Sequence, residues 1–239
     1  AIAARNVGFG YGCLNDLEKS IKYYDRAINA NPNDPLLLTE SDKIYEQANI
    51  PTDQRLKRLE SHLKTVMKHD DAVMRLLTLY NAESKYDKSI KILNTRHFHL
   101  WEGGGQVHDI YADSHILKGM QFLKRKQYKE AIREFDLANQ YPSNLEVAPS
   151  PNGGYEAKIY YLSGIAYEAM KQTDKAKICF EKSADTHFRS HLTDLNYYKI
   201  KSLRKLNRNG EADVALSNMQ KTLAVSYTHL RAHETDQYL

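Results

Sequence analysis

The chain has 239 residues, 41% of them hydrophobic, with 34 basic against 30 acidic side chains and a formal net charge of +4. That length suits one large domain or an elongated repeat array, and the mildly basic balance is not a nucleic-acid footprint in itself. No apolar run reaches the roughly eighteen residues of a membrane-spanning helix, so no such span is expected.

The two cysteines, Cys13 and Cys179, lie far apart and offer neither a disulfide framework nor a metal knuckle. In helical segments they are expected to pack as small apolar residues. Ala1 is not preceded by a Met and no charged-then-apolar leader follows it, which favours a cytoplasmic setting and reads as the cut edge of a longer protein. The closing stretch Val225–Leu239 matches the translation of a transposon adapter used in short-read sequencing libraries. It is expected to be read-through and is set aside, leaving residues 1–224 as the domain.

Residues 1–34 carry Val7-Gly8, Tyr11, Ser20, Tyr24, Ala27 and Pro32. Small Gly8 and Ser20 let two antiparallel helices approach closely, Tyr11 and Tyr24 fill the space between them, and Asn31-Pro32-Asn33-Asp34-Pro35 ends the second. In 35–69, Tyr45 precedes the turn Ile50-Pro51-Thr52-Asp53, and Leu56, Leu59, Leu63 and Val66 stripe the next helix. Glu40 and Asp42 there read as the start of a polar helical face. Residues 70–103 contain Leu76-Leu77, Tyr80 and Leu93, and their Asp87-Lys88-Ser89-Ile90 matches Glu18-Lys19-Ser20-Ile21 of the first unit. Residues 112–145 hold Gly119, Phe122, Ala131, Phe135 and Ala138, and residues 157–187 hold Tyr160, Gly164, Tyr167, Ala176, Phe180 and Ser183. The last unit, 188–224, keeps only the apolar spacing of Leu203, Ala212, Leu216 and Met219.

These positions resemble the tetratricopeptide repeat. The resemblance implies an all-α chain, an α-solenoid of about six antiparallel helix pairs coiled as a right-handed superhelix, with the first helix of each pair lining a groove. Arg5, Phe9 and Cys13, Met120, and Tyr161 with Ile165 would then face that groove. Some members of the family clamp a terminal carboxylate with paired Lys and Asn. Arg5, Phe9, Met74 and Arg75 stand at the corresponding places here, so that clamp is not implied.

Two insertions interrupt the period, at about 97–111 and 143–156, each between the second helix of one pair and the first of the next. Such connections share one rim, so the two are expected to sit one repeat apart, on the order of 20 Å between anchors, a gap their loops can close. The first holds the only Trp, Trp101, together with Gly103-Gly104-Gly105, and Phe98, Leu100 and Trp101 alternate with its histidines as a plug between units would. A phosphate loop is not expected, because no strand precedes the glycines and no Gly-Lys-Ser/Thr follows them. His97, His99, His108 and His115 with Glu102, Asp109 and Asp113 carry metal-ligand chemistry, but the apolar alternation favours packing, and no metal site is expected. Nor is any catalytic constellation, since the chain has no nucleophile elbow and no HExxH. The basic cluster Lys199, Lys201, Arg204, Lys205 and Arg208 beside Tyr197 and Tyr198 reads as a solvated face.

The loops Arg96-His97-Phe98-His99-Leu100-Trp101-Glu102-Gly103-Gly104 and Tyr141-Pro142-Ser143-Asn144-Leu145 further resemble the C-terminal repeat region of large bacterial proteins. Those proteins begin with an uncharacterised β-rich domain that resembles domains handling carbohydrate. The expected function is a non-catalytic scaffold without cofactor, binding a protein, a peptide or an adjoining domain of the same chain, and neither a membrane nor nucleic acid. The alternative is a carbohydrate-binding module with a rim site: Trp101 stacks a sugar, Glu102, His108 and Asn144 supply hydrogen bonds, and Asp109 stands beside them.

Overall fold

The computed structural model describes residues 1–99, 106–149, 154–187 and 194–236, with side chains described to Leu223 except at Asp194. Among them are thirteen α-helices and one 3-10 turn (Ser143–Leu145), and no strand. The helices fall into pairs. α1 (Ile2–Cys13) pairs with α2 (Leu17–Ala30). α3 (Pro35–Gln47) is followed by α4 (Thr52–Ser61) and its short continuation α5 (Leu63–Val66). Then come α6 (Asp70–Ala82) with α7 (Tyr86–Thr95), and α8 (Gln106–Lys124) with α9 (Tyr128–Ala138). The last pairs are α10 (Glu156–Ala169) with α11 (Thr173–Ala184), and α12 (Asp194–Lys205) with α13 (Asn209–Asp236).

One turn closes every pair. Asn15, Asn49, Ser84, Lys126, Lys171 and Asn207 all adopt left-handed backbone, with φ between 55° and 60°. The next N–H then reaches back five residues: Asp16 to Tyr11, Ile50 to Tyr45, Lys85 to Tyr80, Gln127 to Phe122, Gln172 to Tyr167 and Arg208 to Leu203. This six-to-one hydrogen bond with a left-handed residue inside it satisfies the orphan carbonyls at a helix end and reverses the chain. Among the described residues it recurs in all six helix pairs, the two with the weakest sequence pattern included.

Within a pair, closeness comes from small residues. The Ser20 hydroxyl donates to the Gly8 carbonyl at 2.8 Å, and Tyr24 packs on Gly8, where a β-carbon would stand 3.0 Å from its ring. α2 buries Ser20, Tyr24, Ala27 and Ile28, one stripe at helical spacing. Its first turn is capped by Asp16, which accepts from Lys19 N. Asp34 caps α3 through Leu36 N, with Pro35 in the first turn, where its missing N–H costs nothing.

The chain divides into two compact units, residues 1–117 with 142–147 and residues 118–141 with 148–239. The first is built on Leu38, Leu56, Leu59, Val66, Leu76, Leu77 and Leu93, closed by Phe98 and Leu145. The second contains a core in which Ala184, Leu203 and Ala212 meet, and buries Ala131, Phe135, Ala157 and Phe180. No helix among the described residues is long and apolar enough to cross a membrane.

Five details differ from expectation. The helix after Thr52 breaks at His62, because the Ser61 hydroxyl and His62 Nδ1 both engage the Arg58 carbonyl and the turn tightens. Leu56, Leu59 and Val66 stay buried, but Leu63 is turned out of the stripe, 41% exposed. α8 starts at Gln106, inside the stretch expected as an insertion. Cys13 is exposed rather than packed, while Cys179 is half-buried and burial pushes its thiol up. Asp42 does not begin a solvated face: it is buried between Arg55 and Arg75, which reach it from α4 and α6.

Candidate functional site

The first site is the junction of the two insertions. After α7 the chain runs extended, with Arg96 at ψ 138°. In such a segment alternate side chains point to opposite sides. Phe98 turns inward and is 2% exposed, while its neighbours His97 and His99 stay on the surface. The segment is held from both sides. Arg96 Nε and Nη2 bind Asp70 Oδ1 at 2.7 and 2.6 Å, Nη1 donates to Met67 O, and Asp70 Oδ2 accepts from His99 N. From the second insertion, Asn144 O accepts from Phe98 N at 2.8 Å, and Asn144 Nδ2 donates to Leu93 O and Arg96 O, both at 2.8 Å. The last two are carbonyls at the C-terminal end of α7, so Asn144 is that helix's side-chain cap. Leu145 is then buried, and Glu146, at φ 52°, turns its carboxylate back over His97. The segments around Phe98 and Asn144 thus meet directly.

The second site lies on α10 and α12, the first helices of neighbouring pairs, which pack side by side. Tyr161 from α10 meets Tyr198 from α12 with ring centroids 5.7 Å apart, and Tyr198 meets Tyr197 edge-on at 5.3 Å. Lys201 Nζ stands 5.5 Å from the Tyr161 ring and 5.2 Å from the Tyr197 ring, and Lys158 stands 5.7 Å from Tyr198. The Tyr197 and Tyr161 hydroxyls hold the Lys201 ammonium above its ordinary value, so it keeps its charge. Tyr161 is the buried base of the cluster at 8% exposure, and Tyr197 is its open edge at 52%. Lys205 is tied to Glu168 at 2.6 Å. Such a face offers rigid aromatic area with cations held over it.

The tetratricopeptide-repeat family model matches residues 11–34 and 157–185, parts of the first and fifth pairs. A crystal structure of the MamA protein is similar with a TM-score of 0.52 at 16% identity, over 77% of this chain and 90% of that one. The structure of YrrB, described as a TPR protein with an unusual peptide-binding site, matches with a TM-score of 0.50 at 16% identity, over 77% of this chain and 85% of that one. The chain carries the tetratricopeptide repeat at residues 11–34 and 157–185.

Its fold is therefore of the α-solenoid class, and the tetratricopeptide frame sorts the remaining candidates. Arg5 and Phe9 are on the first helix of repeat one. Arg5 Nε holds Glu40 Oε2 at 2.7 Å, the Tyr24 hydroxyl donates to the same oxygen at 3.3 Å, and Phe9 is 59% exposed. Met120, on the first helix of repeat four, is 38% exposed. His108 is buried in the first turn of α8, its ring 6.1 Å from that of Tyr111, and Asp109 is exposed beside it. Asn144 has both amide hydrogens committed to α7, which leaves its side chain nothing further to donate. Trp101 and Glu102 lie outside the described residues.

Two features escaped the sequence reading. Nothing local in the sequence ties Glu146 to His97, forty-nine residues earlier. The Tyr197–Lys201 segment read as solvent-facing, because its partner ring, Tyr161, comes from another helix.

Proposed function

We propose that this chain is a non-catalytic protein–protein interaction scaffold whose α10–α12 face receives an acidic peptide segment, from a separate protein or an adjoining domain. The observation that carries this reading is Lys201 held over Tyr161 and Tyr197 on adjacent first helices. Aromatic rings lose little conformational entropy on binding and serve as anchors. Lysines fixed above them present ammonium groups to carboxylates while their stems cover apolar surface. A peptide-binding neighbour of the same fold, YrrB, is consistent with this use of the repeat. The carbohydrate alternative rests on Trp101 and Glu102, outside the described residues, on His108, which is buried, and on Asn144, whose amide hydrogens are taken; no observation favours it.

The test is selection of peptides from a random display library against the chain, followed by fluorescence anisotropy on the winners. Enriched peptides are expected to be rich in Asp and Glu. Lys158→Glu with Lys201→Glu should weaken them at least about tenfold, the usual effect of like charge facing like across an interface, with helicity unchanged by circular dichroism. Affinities indifferent to both reversals and to Tyr197→Ala would remove this face from consideration. A library that yields no binder would sink the scaffold reading itself.

A further inference from the structure

The junction that buries Phe98 and Leu145 leaves three donors converging on its outer side. His97, His99 and Glu146 each offer a ligand atom, and these atoms lie within 4.8 Å of one another. His97 Nε2 is 2.6 Å and His99 Nδ1 is 3.8 Å from the same carboxylate oxygen, Glu146 Oε1, and the two rings are 4.8 Å apart between centroids. A tetrahedral zinc ion with bonds of roughly 2.0–2.1 Å separates adjacent donors by about 3.3 Å. The two observed separations bracket that figure. From these distances we propose that His97, His99 and Glu146 form a divalent transition-metal site, with zinc the ion their donors suit.

The chemistry of the set favours zinc among divalent ions. Two imidazole nitrogens and one carboxylate form a borderline N2O set, too poor in oxygen for calcium or magnesium and free of the thiolates that select softer ions. The remaining position falls to water, since all three side chains face solvent, with exposures of 53%, 67% and 38%. The donors are also preorganised, which is what separates a site from three passing side chains. His97 and His99 share one side because Phe98 between them is anchored in the core. Their backbone is fixed by Asp70 and Asn144, and Glu146 follows the buried Leu145 in a defined left-handed turn. On binding, His97 would carry its proton on Nδ1 and give Nε2 to the metal, exchanging the present contact with Glu146 for two bonds to one ion. The expectation of no metal at this loop rests on the apolar alternation, with Glu102, Asp109 and Asp113 as the acids weighed; the acid that arrives, Glu146, comes from the second insertion.

A bound ion would clamp the end of repeat three to the 3-10 turn, across a stretch of chain that holds α8 and α9. Binding the folded state alone raises stability by mass action. The experiment is titration of zinc chloride into the tag-free full chain at neutral pH by calorimetry, with thermal melts in zinc and in a chelator. One ion per chain and a higher Tm in zinc are expected. His97→Ala, His99→Ala and Glu146→Gln should each weaken binding by more than the roughly 10–100-fold that loss of an outer partner costs, while circular dichroism and the zinc-free Tm hold. These side chains are exposed, and the hydrogen bonds fixing the backbone from His97 to His99 come from Asp70 and Asn144, so the variants are expected to fold. Cobalt(II) should give the intense visible bands of four-coordinate geometry, lost in the same variants. Absence of saturable one-to-one binding overturns the proposal, and so does binding that survives in the His97→Ala/His99→Ala double variant.

Discussion

Gly164 stands so close to Phe180 that a β-carbon on it would lie 2.5 Å from the ring's Cε1. The same step recurs at Gly119 with Phe135, at 2.4 Å, sixteen residues apart in both cases, and more loosely at Gly8 with Tyr24. Alanine in a helix is favoured over glycine by about 1 kcal/mol, but forcing a methyl into a packed ring costs roughly 1–3 kcal/mol. The overlap at Gly164 and Gly119 decides the sign. Gly164→Ala and Gly119→Ala are expected to lower stability by up to about 2 kcal/mol, once the helix gain is subtracted. Gly10, in the exposed middle of α1 with nothing within 4 Å, should gain about 0.5–1 kcal/mol as Ala. Urea titration of the three variants checks this, and three shifts of one sign would contradict it.

That pairing explains which repeats were legible. Units one and five announce themselves because a small residue and an aromatic at fixed spacing are needed wherever two helices nearly touch. Unit six has no such pair, yet closes with the same left-handed turn at Asn207. Asn15, Asn49 and Asn207 suit that backbone, whereas Lys126 and Lys171 carry no local signal of it. The junction was only half legible. Shared rim topology brings the insertions together, but that Asn144 would cap α7 and Glu146 would face His97 depends on contacts across roughly fifty residues, which no local pattern encodes. The period of α3 places Asp42 on a polar stripe, and only the arrival of two arginines from other helices makes that stripe an interior.

Asp42 yields the second prediction. Its carboxylate, 1% exposed, binds Arg55 at 3.0 and 2.8 Å and Arg75 at 2.7 Å, joining α3, α4 and α6. Arg55 is itself 7% exposed. Removing one partner of a buried pair strands the other charge and costs about 3–5 kcal/mol. Glu46, which touches both arginines from a more open position, keeps part of the compensation. Asp42→Ala is therefore expected near the lower end of that range, read as a drop in urea midpoint. Asp53→Ala, which breaks the exposed pair with Lys57 in the first turn of α4, should shift the midpoint far less, by roughly 1 kcal/mol or under. Equal effects would show that burial is not what gives Asp42 its weight.

Alkaline pH supplies the third. Tyr24, Tyr45 and Tyr80 each donate to a carboxylate, on Glu40, Asp25 and Glu60. Burial first, then the neighbouring acid, pushes each phenol from the ordinary 10 up to about 12. The folded chain thus keeps three protons over a range in which the unfolded chain gives them up. Their contribution to stability is complete below pH 10 and is lost as pH rises towards 12. Thermal midpoints should fall across that window. The fall should be shallower in the variant carrying Tyr24→Phe, Tyr45→Phe and Tyr80→Phe, and an unchanged slope there would assign the alkaline loss to other groups.

The fourth prediction concerns Asn144, whose Nδ2 holds the Leu93 and Arg96 carbonyls while its own carbonyl receives Phe98 N–H. Asn144→Ala leaves two helix-end acceptors to solvent in a half-buried site and is expected to cost about 1–2 kcal/mol. Asn144→Asp should be worse than alanine despite its closer shape, because it turns a carboxylate oxygen towards two carbonyl oxygens. Since Phe98 is buried only while the two insertions stay paired, both variants should also speed hydrogen exchange at the Phe98 amide, with aspartate the faster. Mass-spectrometric exchange over the peptide containing Phe98, alongside urea midpoints, tests both orders together. An aspartate variant as stable and as protected as the parent chain would mean the clamp is not what joins the insertions, and packing of Phe98 with Leu145 alone would have to hold them.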